Sequence, residues 1–278
     1  MKNTLVLFAF AFIGLSASYD LKFQRKRNKQ TTITSDKNNV GYAKNNTDTI
    51  VYDTLVFPKE KGYTIKILPQ STFHGNEVWK NAENEVWWGL FNGKKGWYIS
   101  KTEIKLRKVY DPIFDSDNEK TGSEVIANNP DNCTLLFVKN SYTKKRKVQK
   151  VNLAKDYIYP GDTLKFWYKA VYYEITATGG KRKPEYSADF FEVWNYKLYI
   201  SANKNGRVKK SLLVAQPNFN NQMTYLLFAG DIDGDNLLDL IINTSRHYNV
   251  SSPTLYLSKP ADKDGLLVPV GIHTSMGC

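Results

Sequence analysis

Four aspartates fall within nine residues of the stretch FAGDIDGDNLLDLIIN, Phe228 to Asn243. Asp231, Asp233, Asp235 and Asp239 take positions 1, 3, 5 and 9 of a loop whose position 7 is Leu237. Alternate side chains and the Leu237 carbonyl can converge on one point, forming the oxygen cage that a hard cation such as Ca²⁺ takes. Carboxylates gathered this closely repel one another, and a divalent ion relieves that repulsion. Mg²⁺ suits the loop less, because it demands tight octahedral geometry and keeps its waters. Gly234 and Asn236 supply conformational freedom where the chain must bend. The competing reading is a solvated acidic turn that holds no metal.

The loop departs from a helix–loop–helix calcium site at two places. Its position 6 is Asn236 rather than glycine, and its position 12 is Ile242 rather than a bidentate glutamate. The flanks, MTYLLFAG before and LLDLIINT after, read as strands. Strand, D-x-D-G-D-x-x-x-D, strand resembles the calcium loops of FG-GAP (integrin-type) repeats, in which the ligands lie between β-strands. That resemblance implies Asp231, Asp233, Asp235 and Asp239 as side-chain ligands and Leu237 as a carbonyl ligand. FG-GAP proteins are propellers of many repeats, but this chain carries one good copy, and a lone blade cannot bury its faces. A full propeller is therefore not expected.

Other reactive groups are scarce. The chain has three histidines, His74, His247 and His273, and no G-x-S-x-G, H-E-x-x-H or glycine-rich phosphate loop. Cys133 with His247 or His273 is formally open as a nucleophile and base. Glu174, Glu192 and Asp189 lie on strand-like segments, where two could face a cleft as a glycosidase pair. The two cysteines, Cys133 and Cys278, are expected to join in an oxidising compartment, with two unpaired thiols as the alternative. A bridge closing so long a loop would stabilise by at most about 4–5 kcal/mol in the chain-entropy model.

The formal charge of +12 is concentrated in runs at Lys22–Lys29, Lys144–Lys150, Lys181–Lys183 and Lys204–Lys210. Such runs attract nucleic acid, anionic lipid or acidic polysaccharide, or simply form solvated hairpin turns. Trp87, Trp88 and Trp97 are candidates for an exposed ligand surface, with core packing as the competing role.

These residues need a frame to hold them. Lys2, the apolar run Thr4–Leu15 and the small residues Ser16-Ala17-Ser18 are laid out as a signal peptide over residues 1–18. The run is short for a membrane span and no comparable one follows. Residues 19–48 read as a basic polar linker. Alternation in TIVYDTLVF, GYTIKIL, NEVWWGLF and GWYIS predicts a small β domain over 49–108. The spacing in WWGLFNGKKGWYISKTEIKL resembles a bacterial Src-homology-type small barrel, and such modules often recognise peptides or cell-wall material. Residues 109–131 read as an acidic linker. Long β signals then predict a second β domain over 132–278, carrying the aspartate loop.

The expected fold is mainly β: a small barrel-like N-terminal domain plus a larger antiparallel sandwich or bent sheet with a calcium loop. The expected function is that of an exported, calcium-stabilised binding protein of the cell envelope or extracellular space. Its expected partner is an anionic glycan or a protein, and export argues against nucleic acid. The alternative is a secreted hydrolase acting on polysaccharide or peptide.

Overall fold

A computed structural model describes residues 50–184, 191–204 and 206–277. The signal peptide (1–18) and basic linker (19–48) expected from the sequence, with Asp189 and Cys278, lie outside the described residues. In chain order the first strands are β1 (Ile67–Leu68), β2 (Thr72–Phe73), β3 (Trp87–Gly93), β4 (Gly96–Thr102), β5 (Ile104–Val109) and β6 (Gly122–Ala127). They continue as β7 (Asn132–Val138), β8 (Arg146–Lys147), β9 (Thr163–Tyr168), β10 (Val171–Arg182), β11 (Glu192–Lys204) and β12 (Arg207–Asn218). The last are β13 (Tyr225–Gly230), β14 (Asp239–Asn243), β15 (Val250–Ser251), β16 (Pro253–Leu257), β17 (Val268–Ile272) and β18 (Ser275–Met276). A 3₁₀ turn at Ala82–Asn84 is the only helical element among the described residues. The chain is mainly β, as its aromatic and β-branched composition predicts.

The strands assemble into sheets ordered β2-β6-β5, β1-β7-β3-β4-β8, β13-β14-β16-β17 and β12-β11-β10-β9, with a small β15-β18 pair. Period-2 burial decides how they stack. In β10, buried Val171, Tyr173, Ile175 and Ala177 alternate with half-buried neighbours, so one face meets the core. In the five-stranded sheet, Trp87, Phe91, Cys133 and Leu136 face a core shared with Phe73 and Val125 of the three-stranded sheet. Leu90, Ile99, Leu135 and Phe137 face the opposite way, onto Phe228, Ile241, Leu255 and Leu257. The β13–β17 sheet is covered on its other face too, where Leu240, Ile242 and Tyr256 join the largest core with Tyr173, Tyr196 and Ile200. Sheets and cores therefore alternate. The full burial of β14 and β16 follows from lying between two of those cores.

Two expectations about domains are corrected. The strands of residues 49–108 do not close into a barrel; they divide between two sheets, and β7 lies between β1 and β3. The segment 109–131 is not a linker either. Gly122–Ala127 is the middle strand of the three-stranded sheet, with β5 and β2 on its two sides. The turn before it is held by carboxylates: Asp111 Oδ1 accepts from Ile113 N at 3.0 Å and lies 2.8 Å from His74 Nδ1. Asp115 Oδ2 accepts from Asp111 N and Thr121 N, both at 2.8 Å. Burial pushes Asp111 and Asp115 upward, but these hydrogen bonds outweigh it and hold both below the usual carboxylate range. Further along the fold, Phe57 and Ala215 exchange backbone hydrogen bonds at 2.9 and 2.7 Å, and Asp53 pairs with Lys197 at 2.7 Å. Residues 50–278 form one compact unit.

His273 gives this packing a pH signature. Its ring lies 5.2 Å from Phe73, edge to face, and Nε2 has no hydrogen-bond partner among the described residues. Burial pushes the imidazole down from 6.5 to about 4, against a weaker upward pull from the Glu77 carboxylate. As pH falls below 6.5 the unfolded chain takes a proton that the folded chain refuses, so stability is lost until about pH 4. Across that window the wild type is expected to lose about 3 kcal/mol more than a His273→Gln variant. Urea midpoints measured against pH check this, and parallel curves would reject it.

Candidate metal centre

The aspartate loop is the turn between β13 and β14, closed by the pairing of Gly230 with Asp239. Gly234 (φ 80°) and Asn236 (φ 69°) both take left-handed backbone, at the places where the sequence puts its most permissive residues. The guanidinium of Arg146 lies over Gly234, where a Cβ would displace it. With the bends fixed, the carboxylates collect donors. Asp239 Oδ2 accepts from Ile232 N at 2.6 Å and Asp233 N at 3.0 Å. Its Oδ1 accepts from Ser258 N at 2.8 Å and Ser258 Oγ at 3.0 Å. Asp233 Oδ2 accepts from Lys259 N at 2.9 Å, and Asp231 Oδ2 from Asn236 N at 3.1 Å.

Asp231, Asp233 and Asp239 are all buried, and each offers a carboxylate oxygen within 4.8 Å of the others. Calcium–oxygen bonds of roughly 2.3–2.6 Å place ligands on opposite sides of one ion about 5 Å apart, so these three groups fit a common Ca²⁺. Burial pushes Asp233 up to about 6, and the charges of Asp235 and Asp231 push the same way. Asp239 is raised well above its ordinary value, first by burial and then by Asp233. The centre thus holds mutually repelling carboxylates away from water, the condition a bound cation relieves.

The five residues expected to ligate are not equivalent. Asp235 lies outside the triad: Oδ1 accepts from Leu237 N at 2.7 Å and Oδ2 from Ser258 Oγ at 2.9 Å. Leu237 is half-buried and donates its N–H to Asp235. Ser258 and Lys259, which follow β16, complete the donor shell, and the sequence carries no local signal for them. Two cations also reach the loop from distant segments. Lys169 Nζ lies 3.0 Å from Asp231 Oδ2 and 2.9 Å from Asn236 Oδ1, while Arg146 covers Gly234. Lys169 comes from the two-residue β9–β10 turn, where it and Ala170 take φ of 43° and 61°. Left-handed backbone costs roughly 1–2 kcal/mol per non-glycine residue, and the Lys169 contacts offset part of it. Arg146 belongs to a basic run that reads in sequence as a solvated turn.

The remaining candidates scatter. Trp87 is corrected from surface to core: it is 0% exposed, and its Nε1 donates to Ala82 O at 2.7 Å. Trp88 and Trp97 are half-buried against the second core, with Trp97 between Phe228 at 5.0 Å and Lys150 Nζ at 5.2 Å. Cys133 is a buried free thiol in β7, and its expected partner Cys278 lies outside the described residues. Burial pushes the Cys133 thiol up to about 12, which leaves no thiolate for nucleophilic chemistry at neutral pH. Glu174 pairs with Lys165 at 3.4 Å, and Glu192 pairs with Arg182. Among the described residues no helix is long and apolar enough to cross a membrane.

Fold and site together define a mainly-β protein of stacked antiparallel sheets with a buried acidic triad able to hold a metal. The chain matches no protein-family model, no curated protein and no solved structure.

Proposed function

We propose that this chain is an exported binding protein of the cell envelope or extracellular space, stabilised by Ca²⁺ in the aspartate loop. The observation that carries this reading is the buried triad of Asp231, Asp233 and Asp239, with oxygens within 4.8 Å of one another. Calcium there neutralises carboxylates that burial has stripped of water, and it ties the β13–β14 turn to the segment after β16. Its role is structural, since every oxygen of the triad also accepts from a backbone N–H of the fold. The partner is an anionic glycan. Lys94, Lys95 and Lys147 line a cavity of about 370 Å³ with Trp97, Tyr98 and Asp131, whose Oδ2 accepts from Tyr98 Oη at 2.7 Å, and Lys150 lies over the Trp97 ring. These four lysines are exposed, and none is in a salt bridge among the described residues.

Calorimetric titration of the EDTA-stripped chain with Ca²⁺ tests the metal. One saturable site is expected, with the melting temperature raised by roughly 5–10 °C at a hundredfold excess over Kd. Both effects should vanish in an Asp231→Ala, Asp233→Ala variant that keeps its β circular dichroism. If the wild type gives neither heat nor thermal shift, the loop holds no ion and the proposal fails.

A further inference from the structure

A cavity of about 600 Å³ opens between strands β10–β12 and the segment joining β16 to β17. That volume falls in the range of small-molecule sites, roughly 300–1,000 Å³. Its floor is apolar: Val171, Ala202 and Leu266 are buried members of the largest core, and Leu237 packs against them. Its mouth is cationic. Arg207 and Lys209 are alternate residues of β12 and so share one face, while Lys210 between two such faces turns away to lie 4.1 Å over Tyr199. Neither Arg207 nor Lys209 has a carboxylate partner among the described residues.

The opposite wall is built to stay in place. Leu266 N and Leu267 N both donate to Ser211 Oγ, at 2.9 and 3.1 Å, and Lys209 Nζ donates to Gly265 O at 3.3 Å. Asp262 is the one acid on the lining. Its Oδ1 turns back to accept from Asp264 N at 3.1 Å and from Gly265 N. The carboxylate is therefore spent in part on shaping its own loop, and two cations face it across the mouth.

We propose that this cavity binds a small amphipathic anion. The apolar body of the ligand sits on the floor, where burial drives it out of water. Its carboxylate, sulfonate or phosphate head rests at the mouth on Arg207, whose planar fork suits such groups, with Lys209 adding a point charge. The cavity borders the aspartate loop through Leu237 and Ser258, but the contacts to the anion use neither the triad nor a metal.

Fluorescence titration of the full chain in EDTA with 1-anilinonaphthalene-8-sulfonate, and with its uncharged relative N-phenyl-1-naphthylamine, tests this. The wild type should bind both dyes saturably at one equivalent. In an Arg207→Gln, Lys209→Gln variant the sulfonate should bind about tenfold or more weakly while the neutral dye is unchanged. Both side chains are exposed, and the wall keeps its hydrogen bonds from Leu266 N and Leu267 N to Ser211 Oγ when the Lys209–Gly265 contact goes. Ala202→Phe, checked for folding by its urea midpoint, should abolish both. The proposal is overturned if the wild type shows no saturable site, if the paired substitutions weaken both dyes equally, or if a folded Ala202→Phe variant binds as before.

Discussion

Asp239→Ala is expected to lower folding stability by about 4–6 kcal/mol with calcium absent. The residue is fully buried, and its two oxygens accept four hydrogen bonds, from Ile232 N, Asp233 N, Ser258 N and Ser258 Oγ. Alanine leaves three buried N–H groups without that acceptor, while Ser258 Oγ keeps Asp235 Oδ2 at 2.9 Å, and each buried donor without a partner costs roughly 1–3 kcal/mol. Relief of the repulsion between Asp239 and Asp233 offsets part of the loss, which is why the expected total lies below the sum. Asp239→Asn keeps one accepting oxygen and the shape of the side chain, so it should lose about half as much. Urea unfolding in EDTA, followed by tryptophan fluorescence, measures both. A loss under 1 kcal/mol for the alanine variant would show that the donors find other partners, and that Asp239 does not organise the loop.

Trp87→Ala should cost about 3–5 kcal/mol for a different reason, the cavity left where the indole fills the space between two sheets. Its ring lies 5.6 Å from Trp79, packed with Phe91, Cys133 and Leu136, and Ala82 O keeps only Glu85 N as a donor when the indole goes. For a chain of this size the melting temperature should fall by roughly 8–16 °C. Calcium affinity should not move, because the aspartate loop belongs to the other cores. A shift under 2 °C, measured by calorimetry, would mean that Trp87 stands on the surface after all.

What could be read in advance divides along one physical line. The acidic triad is legible because its spacing is local: a short turn between paired strands brings its own side chains together. Asp235 stands outside the triad with its carboxylate on Leu237 N and Ser258 Oγ, and no spacing rule reaches as far as Ser258, brought in by β16. Alternation likewise finds the strands but not the partners they stack on. The pair Trp87-Trp88 illustrates both sides, since period 2 puts one indole on each face of β3, yet which face is covered by more protein depends on β6 and β13. Residues 109–131 mislead because Asp111 and Asp115 are acidic and turn-forming, the composition of a linker. Their carboxylates instead collect the N–H groups of their own turn, and the six-residue β6 that follows is too short to announce itself.

The strand order β1-β7-β3 has a consequence in time rather than in space. β1 is an edge strand whose hydrogen-bonding neighbour is β7, made after β2 to β6 have left the ribosome. The core between the five-stranded sheet and the β13–β17 sheet waits longer still, since half its side chains come from β13 onward. Such non-local pairing must close long loops before any contact rewards it, which slows folding. A chain arrested before β16 would leave the Leu90 and Phe137 face of the five-stranded sheet without Leu255, Leu257 and Val270 to cover it. It would be a substrate for chaperones and proteases, not a partly working protein.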